Sequence, residues 1–286
     1  MSERGKSGGD FLVELLKPAR LTTVADIGAN PIDGEPPYKP LLAARLCRVV
    51  GFEPLPHALA ALNSRKSDLE TYLPYVIGDG NPATLRVCES EGMTSLLRPD
   101  PQKLRYFTGF ESWGRIVKEL PVETRRLNDV DELGDIDFLK IDAQGSELSI
   151  FRHGSRRLAN AVAIQTEAAF MPLYEQQPTL GEIDSELRQQ GFVPHCFANI
   201  KNWMIAPMFM PNYAALNQLL ESDIVYVRDF TRPDTMTPEQ LKHLTIIAHH
   251  CYQSFDLAAH CLQQLAKSGA VPSDALGRYL GQGAKR

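Results

Sequence analysis

The chain has 286 residues, 43 % of them hydrophobic and 23 % charged, which is enough to build a sizeable core. Its net charge of −5 supplies no sequence-wide basic field, and this speaks against nucleic acid as a partner. No apolar stretch approaches the roughly 20 residues of a membrane helix, and the polar start lacks the apolar core of a signal peptide. The five cysteines are scattered without a CxxC pair. The expectation is a cytoplasmic protein with reduced thiols and no membrane association.

Taken in chain order, Phe11–Leu16 reads as a short helix stopped near Lys17-Pro18. Strands are predicted at Thr23–Ile27, Arg48–Phe52, Thr71–Ile77, Phe138–Ile141 and Ala161–Thr166. Helices are predicted at Pro40–Leu46, His57–Ser64, Gly145–His153 and Leu180–Gln190, and further strands at Asn202–Pro207 and Asp223–Arg228. Strand and helix in alternation mark βαβ units, hence an α/β fold with a doubly wound, mostly parallel sheet. Asn30–Lys39, rich in Pro and Gly, and Gly92–Asp100 read as loops, with an aromatic segment to Trp113 as a possible cover. Beyond Phe230 the pattern turns purely helical, so residues 1–230 are read as one domain and 231–286 as a helical C-terminal extension.

That extension begins at Thr237-Pro238-Glu239-Gln240, a capping box with proline at the first helical position. Leu241, Leu244, Ala248, Cys251, Phe255, Ala258, Leu262 and Leu265 then form a narrow apolar stripe that persists to Lys267, with a break near Ser254–Asp256 as the variant reading. Such a stripe must be buried, against the chain's own sheet or against a second subunit as a homodimer seam. His249-His250-Cys251 and His260-Cys261 lack the spacing of a metal site, so no metal is expected there. Cys251 is read as core and the histidines as helix surface.

Chemistry concentrates at the strand ends. The first strand closes on Asp26-Ile27-Gly28-Ala29-Asn30, the usual seat of a ligand in a doubly wound sheet. A dinucleotide site wants G-x-G-x-x-G, so that backbone N–H groups face pyrophosphate. Here Asn30 replaces the second glycine, Pro31 has no N–H, and Asp26 and Asp33 would repel phosphate. The ligand expected is free of phosphate and partly cationic, as S-adenosylmethionine (SAM) is; the alternative is a turn that only reverses the chain. Glu53, ending the second strand before Pro54, suits the hydroxyls of a ribose. Phe138–Ile141 delivers Asp142 to the same edge, with Lys140 on the same face, and Ala163-Ile-Gln-Thr-Glu167 delivers a second acid. A lysine in a core strand needs a partner, so Lys140 is either a strand-joining ion pair or part of the chemistry.

These residues together resemble the FkbM-type methyltransferases, a SAM-dependent family that O-methylates hydroxyls of polyketides, sugars and similar metabolites. The resemblance runs from Thr22 to Phe230 and is carried by Asp26-Ile-Gly-Ala-Asn30, Phe52-Glu53-Pro54, Thr94-Ser95-Leu96, Asp137 through Glu147, and Gln165-Thr-Glu167 through Leu173-Tyr174 to Gly191-Phe192. It implies a Rossmann-like class I methyltransferase sheet in which Asp26, Gly28, Asn30, Glu53 and Pro54 bind SAM. Asp79 would lie near the adenine, and Asp142 near the methionine end or the acceptor. The sequence departs from the family after Asn30, where Pro31–Tyr38 replaces a glycine. A hydroxyl acceptor needs a base; Asp142 is the first candidate, Glu167 the second, and Lys140 would orient them. A divalent metal on Asp142 and Glu167 lacks a third ligand evident in the sequence. A nicotinamide-dependent oxidoreductase and a non-catalytic binding module are the other classes considered.

Overall fold

Apolar runs long enough to be buried on both faces become the central strands, and the amphipathic stretches between them become the covering helices. The computed structural model describes residues 8–32, 34–208 and 217–283, so Asp33 lies outside the described residues. The elements begin with α1 (Gly8–Leu16), β1 (Thr22–Ile27), α2 (Lys39–Ala43), β2 (Cys47–Phe52), α3 (Pro56–Arg65) and β3 (Glu70–Leu73). Then come β4 (Val76–Ile77), β5 (Pro82–Cys88), α4 (Pro101–Leu104), α5 (Phe110–Trp113), β6 (Ile116–Arg125), β7 (Phe138–Ile141) and α6 (Glu147–Leu158). The chain continues through β8 (Ala163–Ala169), α7 (Leu180–Gln189), β9 (Phe192–Trp203), β10 (Gln218–Arg228), α8 (Pro238–Tyr252), α9 (Phe255–Lys267) and α10 (Ala275–Gly283).

Seven strands form the main sheet in the order β3-β2-β1-β7-β8-β10-β9, with β10 antiparallel to both its neighbours and the other pairs parallel. This is a doubly wound, mostly parallel α/β arrangement. The order reverses between β1 and β7, and a crevice opens there at the strand ends. Alternation along each strand sends Val24, Phe138 and Val225 to one face and Ala25, Leu139 and Ile224 to the other. The first face packs against α1, α8 and α9, and the second against α6 and α7.

Several expectations are corrected. The run 71–77 is two strands: Pro74, which cannot donate to a ladder, ends β3 after Leu73, and Val76–Ile77 pairs instead with Thr124–Arg125 in a three-stranded sheet β4-β6-β5. The antiparallel pair of β5 and β6 in that sheet has no counterpart among the predicted strands. Strand β8 runs on to Ala169, so Glu167 sits inside a strand rather than beyond one. Residues 202–207 are not a strand of their own; the long edge strand β9 ends at Trp203. The aromatic segment does cover something: Phe110 and Trp113 stack edge to face with each other and with Trp203.

Helix α8 starts on the expected capping box, in which Thr237 Oγ1 accepts from the Gln240 amide and Gln240 Oε1 accepts from the Thr237 amide. Gln253, at φ +52°, breaks the helix, so the stripe is carried by two helices. Leu241, Leu244, Ala248, Ala258, Leu262 and Leu265 are buried with Val24 and Val225 of the sheet. Among the described residues the stripe is therefore largely buried within the chain itself. The histidines are not a free helix surface either: His249 is half-buried against Phe255 and accepts from or donates to Tyr279 Oη at 2.9 Å.

Candidate active site

A cleft of about 230 Å³ opens over the ends of β1, β2 and β7. Its lining includes Asp26, Gly28, Asn30, Glu53, Pro54, Lys140 and Asp142, so the structure brings together most of the residues singled out from the sequence. Asp79 is not among them. Its carboxylate accepts the amide of Asn81 at 2.9 Å and the Asn81 side chain at 3.0 Å, closing the turn before β5. The outer wall comes from Pro31, Ile32 and Gly34–Pro37 on one side and from Glu91, Gly92 and Thr94–Leu96 on the other. Among the described residues, the lining holds six carboxylates, those of Asp26, Glu35, Glu53, Glu91, Asp142 and Asp223, against one cation, Lys140.

Gly28 is required for a reason the motif alone did not reveal. It adopts φ +73°, and a Cβ at this position would lie 2.1 Å from the carbonyl oxygen of Asp142. The turn after β1 thus lies directly against the backbone that carries Asp142. The Asp142 amide donates to the Ile27 carbonyl at 3.0 Å, and the amides of Gly28 and Ala29 both donate to the Phe52 carbonyl at 3.2 Å. Three strand ends are tied at one point, which fixes Asp26, Glu53 and Asp142 relative to one another.

Asp26 and Lys140 are register partners on β1 and β7. Nζ of Lys140 donates to the Gly28 carbonyl at 2.9 Å and lies 3.5 Å from Oδ1 of Asp26. Burial alone would lower the Lys140 pKa, but Asp26 and Asp142 outweigh it and raise it. Burial raises Asp26, with Lys140 and the Tyr38 hydroxyl opposing. Lys140 is thus the strand-joining ion pair, exposed to the cleft on one side. Glu53, 4 % exposed, accepts the Leu55 amide at 2.8 Å, and burial raises its pKa.

The second acid, Glu167, converges on Asp142 but does not line the cleft. Between them stands Gln144, held in the left-handed region at φ +49°. Its Nε2 donates to Asp142 Oδ1 at 2.8 Å and lies 3.3 and 3.4 Å from the two oxygens of Glu167. Tyr174 donates to Gln144 Oε1 at 2.9 Å, and Ser95 Oγ donates to the Gln144 carbonyl at 2.6 Å. Because the amide oxygen is taken by Tyr174, the NH₂ must face the carboxylates. Burial, then Glu221, Asp142 and Glu147, raises Glu167 well above the ordinary carboxylate range.

Glu147 is the acid that the sequence reading passed over. It is 2 % exposed, and its Oε1 accepts the amide of Ala143 at 2.7 Å and that of Gly145 at 3.3 Å, bracing the loop that presents Asp142. Burial pushes its pKa up to about 7. Its only sequence signal was position, five residues after Asp142 across a glycine. Oxygens of Asp142, Glu147 and Glu167 all lie within 4.8 Å of one another, an all-oxygen set of the kind hard cations take. The Gln144 amide, however, already bridges two of these three acids with hydrogen-bond donors.

Residues 26–194, more than half of the chain, match the model of the methyltransferase FkbM domain. Solved structures of similar shape include magnesium protoporphyrin IX methyltransferase (ChlM) from Synechocystis PCC 6803 with bound SAM, at 11 % identity, 78 % coverage of each chain and a TM-score of 0.38. Another is precorrin-6y C5,15-methyltransferase from Geobacter metallireducens GS-15, at 13 % identity, 80 % coverage of this chain and 93 % of that one, and a TM-score of 0.36. A third is TYW2 of M. jannaschii in complex with AdoMet, at 10 % identity, 79 % and 78 % coverage, and a TM-score of 0.34. No curated protein matches the chain in sequence. The domain match over residues 26–194, on a sheet of this order, places the chain in the FkbM methyltransferase family.

Proposed function

We propose that this chain is a SAM-dependent O-methyltransferase acting on a hydroxyl of a small-molecule, sugar or polyketide-type metabolite, with Asp142 as general base. The observation that carries the reading is the convergence of Asp26, Glu53 and Asp142 in one cleft with a single lining cation among the described residues. A carboxylate-rich cleft favours a ligand with a sulfonium and an amino group and repels pyrophosphate, which weighs against a nicotinamide cofactor. The residues fit SAM: Asp26 Oδ1 is buried, paired with Lys140 at 3.5 Å, and accepts no hydrogen bond among the described residues, so it has acceptor capacity left for a ligand. Glu53 stands at the end of β2, where a ribose diol would find its acceptor. Asn30 and Pro54 complete that wall.

SAM, when bound, supplies an electrophilic methyl group. The chain's part is to position the acceptor, exclude water and take the hydroxyl proton. Asp142 is placed for the last task at the cleft wall, oriented by the Gln144 amide. Glu167 is a poor second base, being raised and held behind Gln144. We assign it and Lys140 to positioning: Glu167 through the amide it shares with Asp142, and Lys140 through Gly28 and Asp26. Methyl-labelled SAM with a metabolite panel tests this. Wild type should label a hydroxyl-bearing compound and Asp142→Asn should lose most of that rate; equal labelling by both proteins would reject Asp142 as the base.

A further inference from the structure

The segment Pro31–Tyr38, where the chain departs from the family pattern, ends in a residue that reaches back to the cleft floor. Tyr38 is 2 % exposed, and its ring packs in the core with Val24 and Leu41. From that anchorage its hydroxyl donates to Asp26 Oδ2 at 2.6 Å. Asp26 is itself 2 % exposed, and its other oxygen accepts no hydrogen bond from the described residues. A carboxylate on a short side chain is free to exchange its two oxygens by rotation. A hydroxyl fixed by a packed ring removes that freedom, because its one proton is committed to Oδ2. Oδ1 is then the oxygen left beside Lys140, and both residues line the cleft.

We propose that Tyr38 is a positioning residue for cofactor binding: it holds the Asp26 carboxylate so that Oδ1 is presented to the cationic end of the ligand. The inference rests on the reading of the cleft as a SAM site. It explains why a Pro-rich insertion is compatible with that site: the insertion supplies, from a distance of 12 residues, an orienting donor to the acid at the end of β1. The same hydrogen bond opposes the rise that burial imposes on Asp26. The other groups acting on this pair are Lys140 on β7, Asp142 beyond it, and Tyr72 and Glu70 on β3.

The test is calorimetric titration of SAM into wild type, Tyr38→Phe, Asp26→Asn and the double variant, from about pH 5 to about pH 8. Phenylalanine keeps the buried ring, and thermal unfolding checks that the fold survives. Tyr38→Phe should bind SAM about tenfold or more weakly, as befits a lost hydrogen bond to a charged group. Its binding should also fail at a higher pH than that of wild type as acid is added, because Asp26 has lost a group that favours ionisation. In the Asp26→Asn background the Tyr38 change should cost nothing further, a signature that loosened packing would not produce. Affinity within about twofold of wild type with an unchanged pH profile, or an equal loss in both backgrounds, overturns the inference. Failure of wild type itself to bind SAM overturns the reading of the cleft, and this inference with it.

Discussion

Gly28→Ala is the sharpest structural test of how the cleft is built. The residue adopts φ +73°, and holding an alanine there costs about 1–2 kcal/mol. The new Cβ would lie 2.1 Å from the Asp142 carbonyl oxygen, a backbone atom with no flexible end to swing away. Relieving an overlap of this kind in a packed interior costs a further ~1–3 kcal/mol. The hydrogen bond from the Asp142 amide to the Ile27 carbonyl, now 3.0 Å, is the first to be strained, worth about 1 kcal/mol more. The expected loss is ~3–6 kcal/mol, or about 10 °C in Tm, out of the roughly 5–15 kcal/mol that a domain possesses. Gly34→Ala is the control, because Gly34 also has positive φ (+119°) but none of the described residues beyond its chain neighbours lies within 4 Å of its Cβ position. Thermal unfolding of both variants separates strain from collision. A Gly28→Ala protein no less stable than Gly34→Ala, with normal SAM affinity, would refute the argument that close approach of β1 and β7 builds the site.

Three further outcomes follow from the same structure. Glu147 is buried with its pKa pushed up to about 7 from an ordinary 4.5, so the folded state holds its proton longer than the unfolded state; stability is lost as pH rises from about 4.5 through about 7. Glu147→Gln, neutral and equal in shape, should therefore gain on wild type by up to ~3 kcal/mol in denaturant melts at about pH 8 and show no advantage at about pH 4, and parallel pH profiles would contradict this. Ending the chain at Phe230 strips Leu241, Leu244, Ile247 and Leu262 from the core around Val24 and Val225, so the fragment should fail to unfold cooperatively; a soluble, SAM-binding fragment would show that 231–286 is an independent extension. Methyl transfer should survive excess EDTA because the Gln144 amide already bridges Asp142 and Glu167, and loss of activity restored by added Mg²⁺ would show that Asp142, Glu147 and Glu167 hold a cation instead.

The parts of the site that were legible in the sequence are those governed by local chemistry. Asp26-Ile-Gly, Glu53-Pro54 and Asp142 each end a short apolar strand, and doubly wound topology brings such ends together whatever lies between them. The family resemblance also implied a Rossmann-like, mostly parallel sheet. What escaped depends on contacts between distant segments. Tyr38 sits in a Pro-rich loop that reads as featureless, and only the folded chain shows its hydroxyl on Asp26. Gln144 and Tyr174, 30 residues apart, meet over Asp142. Glu147 looks like an ordinary acid in the first turn of a helix until its burial is seen. Strand β9 was missed because residues 196–200 at the sheet edge are all exposed, and with nothing buried on either face the alternation that marks a strand disappears. Strand β6 is likewise largely exposed.

The most direct measurement of the central claim is equilibrium binding of SAM and of NAD to the purified full chain by calorimetry. The account predicts that SAM binds and NAD does not, and that Glu53→Ala weakens SAM by about 1.5–3 kcal/mol, the range for a hydrogen bond to a charged group. Tight binding of NAD without binding of SAM, or SAM affinity indifferent to Glu53, would contradict it.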